Sequence, residues 1–310
     1  MKVAILGAGA MGSLYASFLA GKQDVTLLDT YRPQVEKIHA DGLTKVEQDK
    51  SEIHIAVKAV MSGTDIGVQD LVIVFVKGMN TRAAMQENRA LLGPNTIVMT
   101  LQNGAGNNRD IAKFVPQKQI IVGTSSHNSV SLELGKFFHS GCGPTNIGPD
   151  LPGEESMRKV NEIAGILREC GLEVNVVEDI QKVLWQKLFV NCGINALTTV
   201  MQCRIGQIAE NPYLLDLSRK IVYECVLVAE ADGTYFDRRE AWDTVCSIIQ
   251  NDAAGFASMY QDRQHHRKTE IDRINGMIVR LGQEYGIDTP YNRMLVAEIH
   301  AVEQLYQPLP

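Results

Sequence analysis

The sequence predicts an α/β fold: a doubly wound, mostly parallel sheet over residues 1–178, followed by an all-α domain over residues 179–310. Three observations carry this reading. Short apolar runs rich in β-branched residues recur through the first 125 positions, at intervals that leave room for helices. A glycine-rich turn stands directly after the first of these runs. Beyond residue 179 the apolar spacing turns helical and stays so.

Each element has its own reason. KVAIL (2–6) is a short apolar run ending in glycines, as a buried strand does. Residues 10–22 carry helical periodicity through Met11, Leu14, Tyr15, Phe18 and Leu19. VTLLD (25–29), LVIVFV (71–76), TIVMTL (96–101) and QIIVGT (119–124) are further strands, with helices expected over 80–92 and 106–114. HNSVSLELGKFFHSGCGPTNIG (127–148) alternates and is punctuated by glycine, which predicts antiparallel strands closing the far side of the sheet. A helix over 156–170 and a strand over 172–177 complete the first domain. The second is read as helices over 180–200, 212–232, 238–250, 267–286 and 290–305.

Composition excludes several classes. A hydrophobic content of 45% and a charged content of 21% are those of a soluble globular chain. The net charge of −6 argues against a broad nucleic-acid surface or an acidic-membrane surface. No C-x-x-C pair occurs among the six cysteines, which removes zinc ribbons and thioredoxin-type motifs. Cys192 and Cys203 lie in apolar surroundings and read as buried small hydrophobes, compatible with a reducing cytoplasm. The N-terminal run lacks the order of a signal peptide, and no apolar run has the length of a membrane span. A cytoplasmic protein with no membrane or nucleic-acid partner is the expectation.

The first chemical motif is GAGAMG (7–12), a G-x-G-x-x-G between a strand and a helix. Gly7 permits the tight turn, Gly9 lets backbone approach a pyrophosphate, and Gly12 lets helix and strand pack closely. With Ala8, Ala10 and Met11 they form a Rossmann-type dinucleotide turn at a helix N-terminus, where N–H groups favour phosphate. Asp29 ends the second strand, where an acidic residue holds a ribose 2′-hydroxyl. Its charge opposes a 2′-phosphate and favours NAD, whereas Arg32 could pair with one, so the cofactor reads as NAD(P)H. Lys77, Asn103 and the His127/Ser129 pair end three successive strands, on the ligand side of an open α/β sheet. His127 is read as a hydrogen-bonded structural histidine.

The second motif is WQKLFVNCGINALT (185–198). Lys187, Asn191 and Asn195 recur every four residues and share one helix face in an apolar run. Buried polar groups need partners. In KTEID (268–272), Thr269 caps a helix start and Glu270 falls in its first turn, either as a partner of the macrodipole or as a carboxylate facing a ligand. His265 and His266 are adjacent, diverge on a helix and have no third ligand at suitable spacing, so no metal is assigned.

GAGAMG (7–12), VKGMNT (76–81), QNG (102–104), WQKLFVNCGINALT (185–198) and SMYQD…TEIDRINGMIVRLG…TPYNR (258–293) together resemble the ketopantoate reductase (2-dehydropantoate 2-reductase) family, in order and over nearly the whole chain. The resemblance implies hydride transfer from NAD(P)H to the 2-oxo group of ketopantoate or a related branched 2-oxo acid. It implies Lys187 as proton donor, Glu270 beside cofactor and substrate, and Asn191, Asn195 and Ser258 as substrate ligands. Gly7 to Gly12, Lys77, Asn103 and Ser129 would contact the dinucleotide, Asn103 also lying near the substrate. A homodimer through the helical domain is implied as well. Two positions depart from the family pattern. Asp29-Thr30 stands where NADP-using members place an arginine, and Ile205 stands where well-studied members carry a further substrate-binding asparagine. An NAD-dependent D-2-hydroxyacid dehydrogenase is therefore the alternative, and a non-catalytic dinucleotide sensor a further one.

Overall fold

The computed structural model describes residues 1–305; the last five residues of the predicted second domain lie outside the described residues. The chain divides into two compact units, one of residues 1–102 and 107–180, the other of residues 103–106 and from 181 onward.

The first unit is an eight-stranded sheet with helices, plus a small four-stranded sheet. In chain order its elements are β1 (Lys2–Leu6), α1 (Ala10–Leu19), β2 (Asp24–Leu28), α2 (Arg32–Asp41), β3 (Leu43–Val46), β4 (Glu52–Ile55), β5 (Lys58–Val60), β6 (Leu71–Val74), α3 (Thr81–Glu87), β7 (Ile97–Thr100), α4 (Asn107–Ile111), β8 (Ile120–Ser125), β9 (Asn128–Glu133), β10 (Lys136–Gly141), β11 (Thr145–Pro149), α5 (Glu154–Glu169) and β12 (Val174–Val176). The large sheet runs β12-β11-β8-β7-β6-β1-β2-β5, and β11 against β8 is its antiparallel pair. β1 is central, paired in parallel with β2 on one side and β6 on the other. The chain reverses its direction of winding there, so the topological switch point lies at the carboxyl ends of β1 and β6. The interior strands read as unbroken apolar runs because both faces are covered, with every residue of β6 and β7 buried.

The second sheet, β4-β3-β10-β9, differs from expectation. Residues 127–148 do not all extend the main sheet: β9 and β10 form a hairpin that pairs with β3, and β11 alone joins β8. β3, β4 and β5 are only three or four residues long, so apolar periodicity does not mark them.

The second unit holds α6 (Ile180–Met201), α7 (Gln207–Glu210), α8 (Pro212–Ala231), α9 (Arg238–Asn251), α10 (Ser258–Gln264), α11 (Asn275–Tyr285) and α12 (Pro290–Gln304). Its core gathers Trp185, Leu188, Phe189, Ile194 and Leu197 of α6 with Val222, Val226, Val245, Ile278 and Leu295. α6 and α8 approach closely because position 193 is glycine: a Cβ there would lie 2.8 Å from Val222, and the carbonyl of Gly193 accepts from Ser218 Oγ at 2.8 Å. The expected helix over 267–286 begins late. Thr269 gives both its N–H and its hydroxyl to Glu303 at 2.7 Å, residues 271–273 form a 3₁₀ turn, and α11 starts at Asn275. No described helix is long and apolar enough to cross a membrane.

Candidate active site

The glycine turn sits at the switch point. Gly7 has φ +105°, a left-handed conformation, and a Cβ there would lie 2.9 Å from the Val76 nitrogen. At Gly12 a Cβ would meet the carbonyl oxygen of Gly7, so that position is closed to any side chain. Gly9, the N-cap of α1, is the opposite case: a Cβ there would have no neighbour within 4 Å. The turn is therefore tight below and open above, which suits a phosphate group approaching the N-terminus of α1. Ala8 supports this shape. Its N–H donates to Asp29 Oδ2 at 2.8 Å, and its carbonyl accepts from Gln34 Nε2 at 2.8 Å. Asp29 Oδ1 accepts from the Tyr31 N–H at 2.9 Å. The acidic residue at the end of β2 thus braces the turn with one oxygen while remaining half-exposed. Ala10 and Met11 open α1, both half-buried.

Lys77 follows β6, half-buried, at the N-cap of a short 3₁₀ turn. Gln102, which sequence reasoning passed over, fastens this region. Its amide nitrogen donates to the Val76 carbonyl and to Thr81 Oγ1 at 2.9 Å, and its oxygen accepts from Thr100 Oγ1 at 2.9 Å. Ser129 lies on β9 opposite His139, its hydroxyl buried with no hydrogen-bond partner among the described residues. Asn103 belongs to the second unit. The loop 103–106 is held there by the Ala105 N–H, which donates to the Arg273 carbonyl at 3.0 Å. Gly104, at φ +78°, permits that approach, since a Cβ would lie 2.4 Å from the same carbonyl.

In the second unit α6 carries the polar stripe. Lys187 and Asn191 are half-buried and Asn195 is 7% exposed. Neither asparagine side chain has a hydrogen-bond partner among the described residues. Burial pushes the Lys187 ammonium down to about 8, and the negative charge of Glu270 pushes back against that fall. Glu270 is half-buried and stands before the 3₁₀ turn, so it faces Lys187 electrostatically rather than a helix dipole. Ser258 begins α10 and is exposed. Arg263 of the same helix donates to the Thr199 carbonyl at 2.6 Å, which ties α10 to the end of α6. Ile205 is buried in the helical core. His265 is exposed and within 2.7 Å of the Gln261 carbonyl; His266 is exposed beside it.

A buried network that the sequence reading missed holds α6 and α11 together. Asn275 Nδ2 donates to the Cys192 carbonyl at 3.2 Å and to Asn292 Oδ1 at 2.9 Å. Asn292 donates in turn to Glu224 Oε2 at 2.7 Å, and Glu224 accepts from the Tyr291 and Asn292 N–H groups at the start of α12. Glu224 thus caps α12 from inside the bundle, a carboxylate answered by three donors.

A phosphate-ready turn at the switch point and a lysine poised to release a proton near neutral pH are the parts that an NAD(P)-dependent oxidoreductase requires, and this protein is of that class. Similarity to known proteins narrows the class. The ketopantoate reductase PanE/ApbA family matches residues 3–151, and its C-terminal portion matches residues 179–303, so the chain belongs to that family. Among its relatives are the 2-dehydropantoate 2-reductases of Vibrio cholerae (31% identical, 98% of each chain covered) and Lactococcus lactis (31% identical, covering 98% of this chain and 99% of that one). Among solved structures, D-mandelate dehydrogenase with NADH and anilino(oxo)acetate superposes at TM-score 0.92, with 30% identity and 99% of each chain covered. A PanE/ApbA family ketopantoate reductase from Ralstonia eutropha superposes at 0.89, with 30% identity, over 99% of this chain and 100% of that one.

Proposed function

We propose that the protein reduces the 2-oxo group of ketopantoate or a related branched 2-oxo acid to the corresponding hydroxyl, at the expense of NAD(P)H. The observation that carries this is the stripe on α6: a lysine lowered to about 8 and, one and two turns on, two asparagine amides with no side-chain hydrogen bond among the described residues. A reduced nicotinamide, when bound, supplies the hydride. Hydride addition loads negative charge onto the ketone oxygen, and the Lys187 ammonium stabilises that charge and gives up one proton to it. Asn191, Asn195 and Ser258 bind and orient the acid, with Asn103 beside it. Glu270 keeps Lys187 protonated before turnover. In the first unit, the dinucleotide-binding half, Gly7 through Gly12 receive the pyrophosphate, Asp29 the ribose, and Lys77, Asn103 and Ser129 further parts of the dinucleotide. The helical unit also forms a homodimer, measurable by light scattering, in a cytoplasmic enzyme.

A second reading has its own observation. Asp29 is braced at the end of β2 by two backbone N–H groups, a carboxylate where a 2′-phosphate would be disfavoured, and Ile205 stands buried where a polar residue would otherwise serve the helical unit. Both favour an NAD-dependent D-2-hydroxyacid dehydrogenase, as does the likeness to an NADH-bound D-mandelate dehydrogenase. The test is kinetic: ketopantoate, 2-oxoisovalerate and phenylglyoxylate, each with NADPH and NADH. Highest kcat/KM for ketopantoate supports the first reading; preference for either other acid with NADH supports the second. No oxidation of either cofactor with any of them would sink both.

A further inference from the structure

The small sheet carries a cluster that the reductase chemistry does not use. His127 follows β8, His139 lies on β10, and Cys142 stands just past its end. His127 Nδ1 and His139 Nε2 are 3.1 Å apart, and Cys142 Sγ is 3.5 Å from the same His139 nitrogen. One ligand atom from each of the three lies within 4.8 Å of the other two. The two distances from His139 are spacings of neighbouring donors around a tetrahedral ion, and the third pair needs only a side-chain adjustment to join them. Zinc bonds of about 2.0–2.1 Å to imidazole and about 2.3 Å to sulfur place two nitrogens roughly 3.3 Å apart, and nitrogen and sulfur roughly 3.6 Å apart.

The surroundings fit a metal as well as the distances do. His139 Nδ1 is 3.4 Å from Glu47 Oε2, the arrangement in which a carboxylate takes the N–H and leaves Nε2 as a bare donor. Glu47 Oε1 also holds Lys45 Nζ at 2.5 Å, so the same carboxylate offsets the nearest ammonium. The His127 ring is fixed by the Phe18 and Tyr15 rings, at centroid distances of 5.6 and 6.3 Å. The two histidines are buried and Cys142 is exposed.

We propose that His127, His139 and Cys142 bind one zinc ion, which clamps the β9–β10 hairpin to the end of β8. Mixed imidazole and thiolate donors in a tetrahedral arrangement select zinc over harder divalent ions. Binding releases the Cys142 thiol proton to solvent and changes no oxidation state.

The test uses the full chain, first stripped with a chelator and then titrated with Zn²⁺ alone by calorimetry and with Co²⁺ alone by absorption. One equivalent of Zn²⁺ is expected to bind, and its affinity to fall at least tenfold in Cys142→Ser and His139→Ala. The Co²⁺ form should show a thiolate charge-transfer band that Cys142→Ser abolishes. Zn²⁺ should raise the melting temperature of the wild type and leave that of Cys142→Ser unchanged. Cys142 is exposed, so its serine variant folds and decides the matter even where His139→Ala does not fold. Equal Zn²⁺ affinity in wild type and Cys142→Ser, or a Co²⁺ spectrum without the thiolate band, overturns the proposal.

Discussion

The two units carry their candidate functional groups in different materials. The first offers backbone: a glycine turn, strand ends and a helix N-terminus, shaped by what cannot stand at positions 7 and 12. The second offers side chains: an ammonium and two amides on α6, with a carboxylate brought near from residue 270. Backbone sites are set by local conformation and tolerate few residues. Side-chain sites are set by helix packing, and their partners arrive from distant parts of the chain. Asn275, for instance, reaches the carbonyl of Cys192 across 83 positions.

The largest expected effect tests the side-chain half. Lys187→Ala should lower kcat by roughly 10²–10⁴, the usual general-acid contribution, while the dissociation constant for NAD(P)H stays within about twofold. A parallel loss of cofactor affinity would dissolve the division of labour between the units.

Gly12→Ala is the corresponding break in the backbone half. Its Cβ would overlap the Gly7 carbonyl oxygen, so the turn must open. A loss of about 2–4 kcal/mol in stability is expected, with weakened dinucleotide binding, read by denaturant melts and fluorescence titration. A variant with native stability and native cofactor affinity would refute the packing argument.

Asn292→Leu removes the amide that donates to Glu224 and accepts from Asn275 inside the helical unit. The expected cost is about 2–3 kcal/mol, since a carboxylate loses a charge-assisted hydrogen bond. Calorimetry should find that loss with the cofactor affinity intact.

The smallest effect is on pH. With Lys187 as the proposed proton donor, kcat should fall as pH rises through about 8. Glu270 raises the lysine, so Glu270→Gln should move that falling limb to lower pH. A limb that stays in place, or moves up, would separate Glu270 from Lys187.

The same contrast explains what was legible in the sequence. β1, β2, β6, β7 and β8 are apolar runs, and the glycine turn follows directly from its spacing, so the sheet and its ligand edge could be read. β3, β4 and β5 could not, because strands of three or four residues such as EIHI are too short for an apolar run or for alternation to stand out from loop sequence. On α6 the spacing placed Lys187, Asn191 and Asn195 on one face, but only the fold supplied the burial that lowers the lysine. The start of α11 was misplaced because Glu303, far along the chain, captures Thr269. Gln102 and Asn292 fall inside the motifs that carry the resemblance, but their packing roles, like that of Glu224, gave no signal, since a polar residue's partner is set by what it meets in the fold. His127 was read as structural, and its neighbours His139 and Cys142 come from spacings that no simple metal motif matches.

The loop Asn103–Gly106 has a consequence for how the chain can be divided. The backbone passes from one unit to the other after Gln102, returns after Gly106 and passes over again after Ile180. A cut at residue 180 therefore does not follow the seam between the units. The C-terminal fragment would keep all its helices yet lack the amide of Ala105, leaving the Arg273 carbonyl without that donor beside Glu270 and Lys187. The N-terminal piece, by contrast, would keep the whole of its own unit and carry away a loop that belongs to the other.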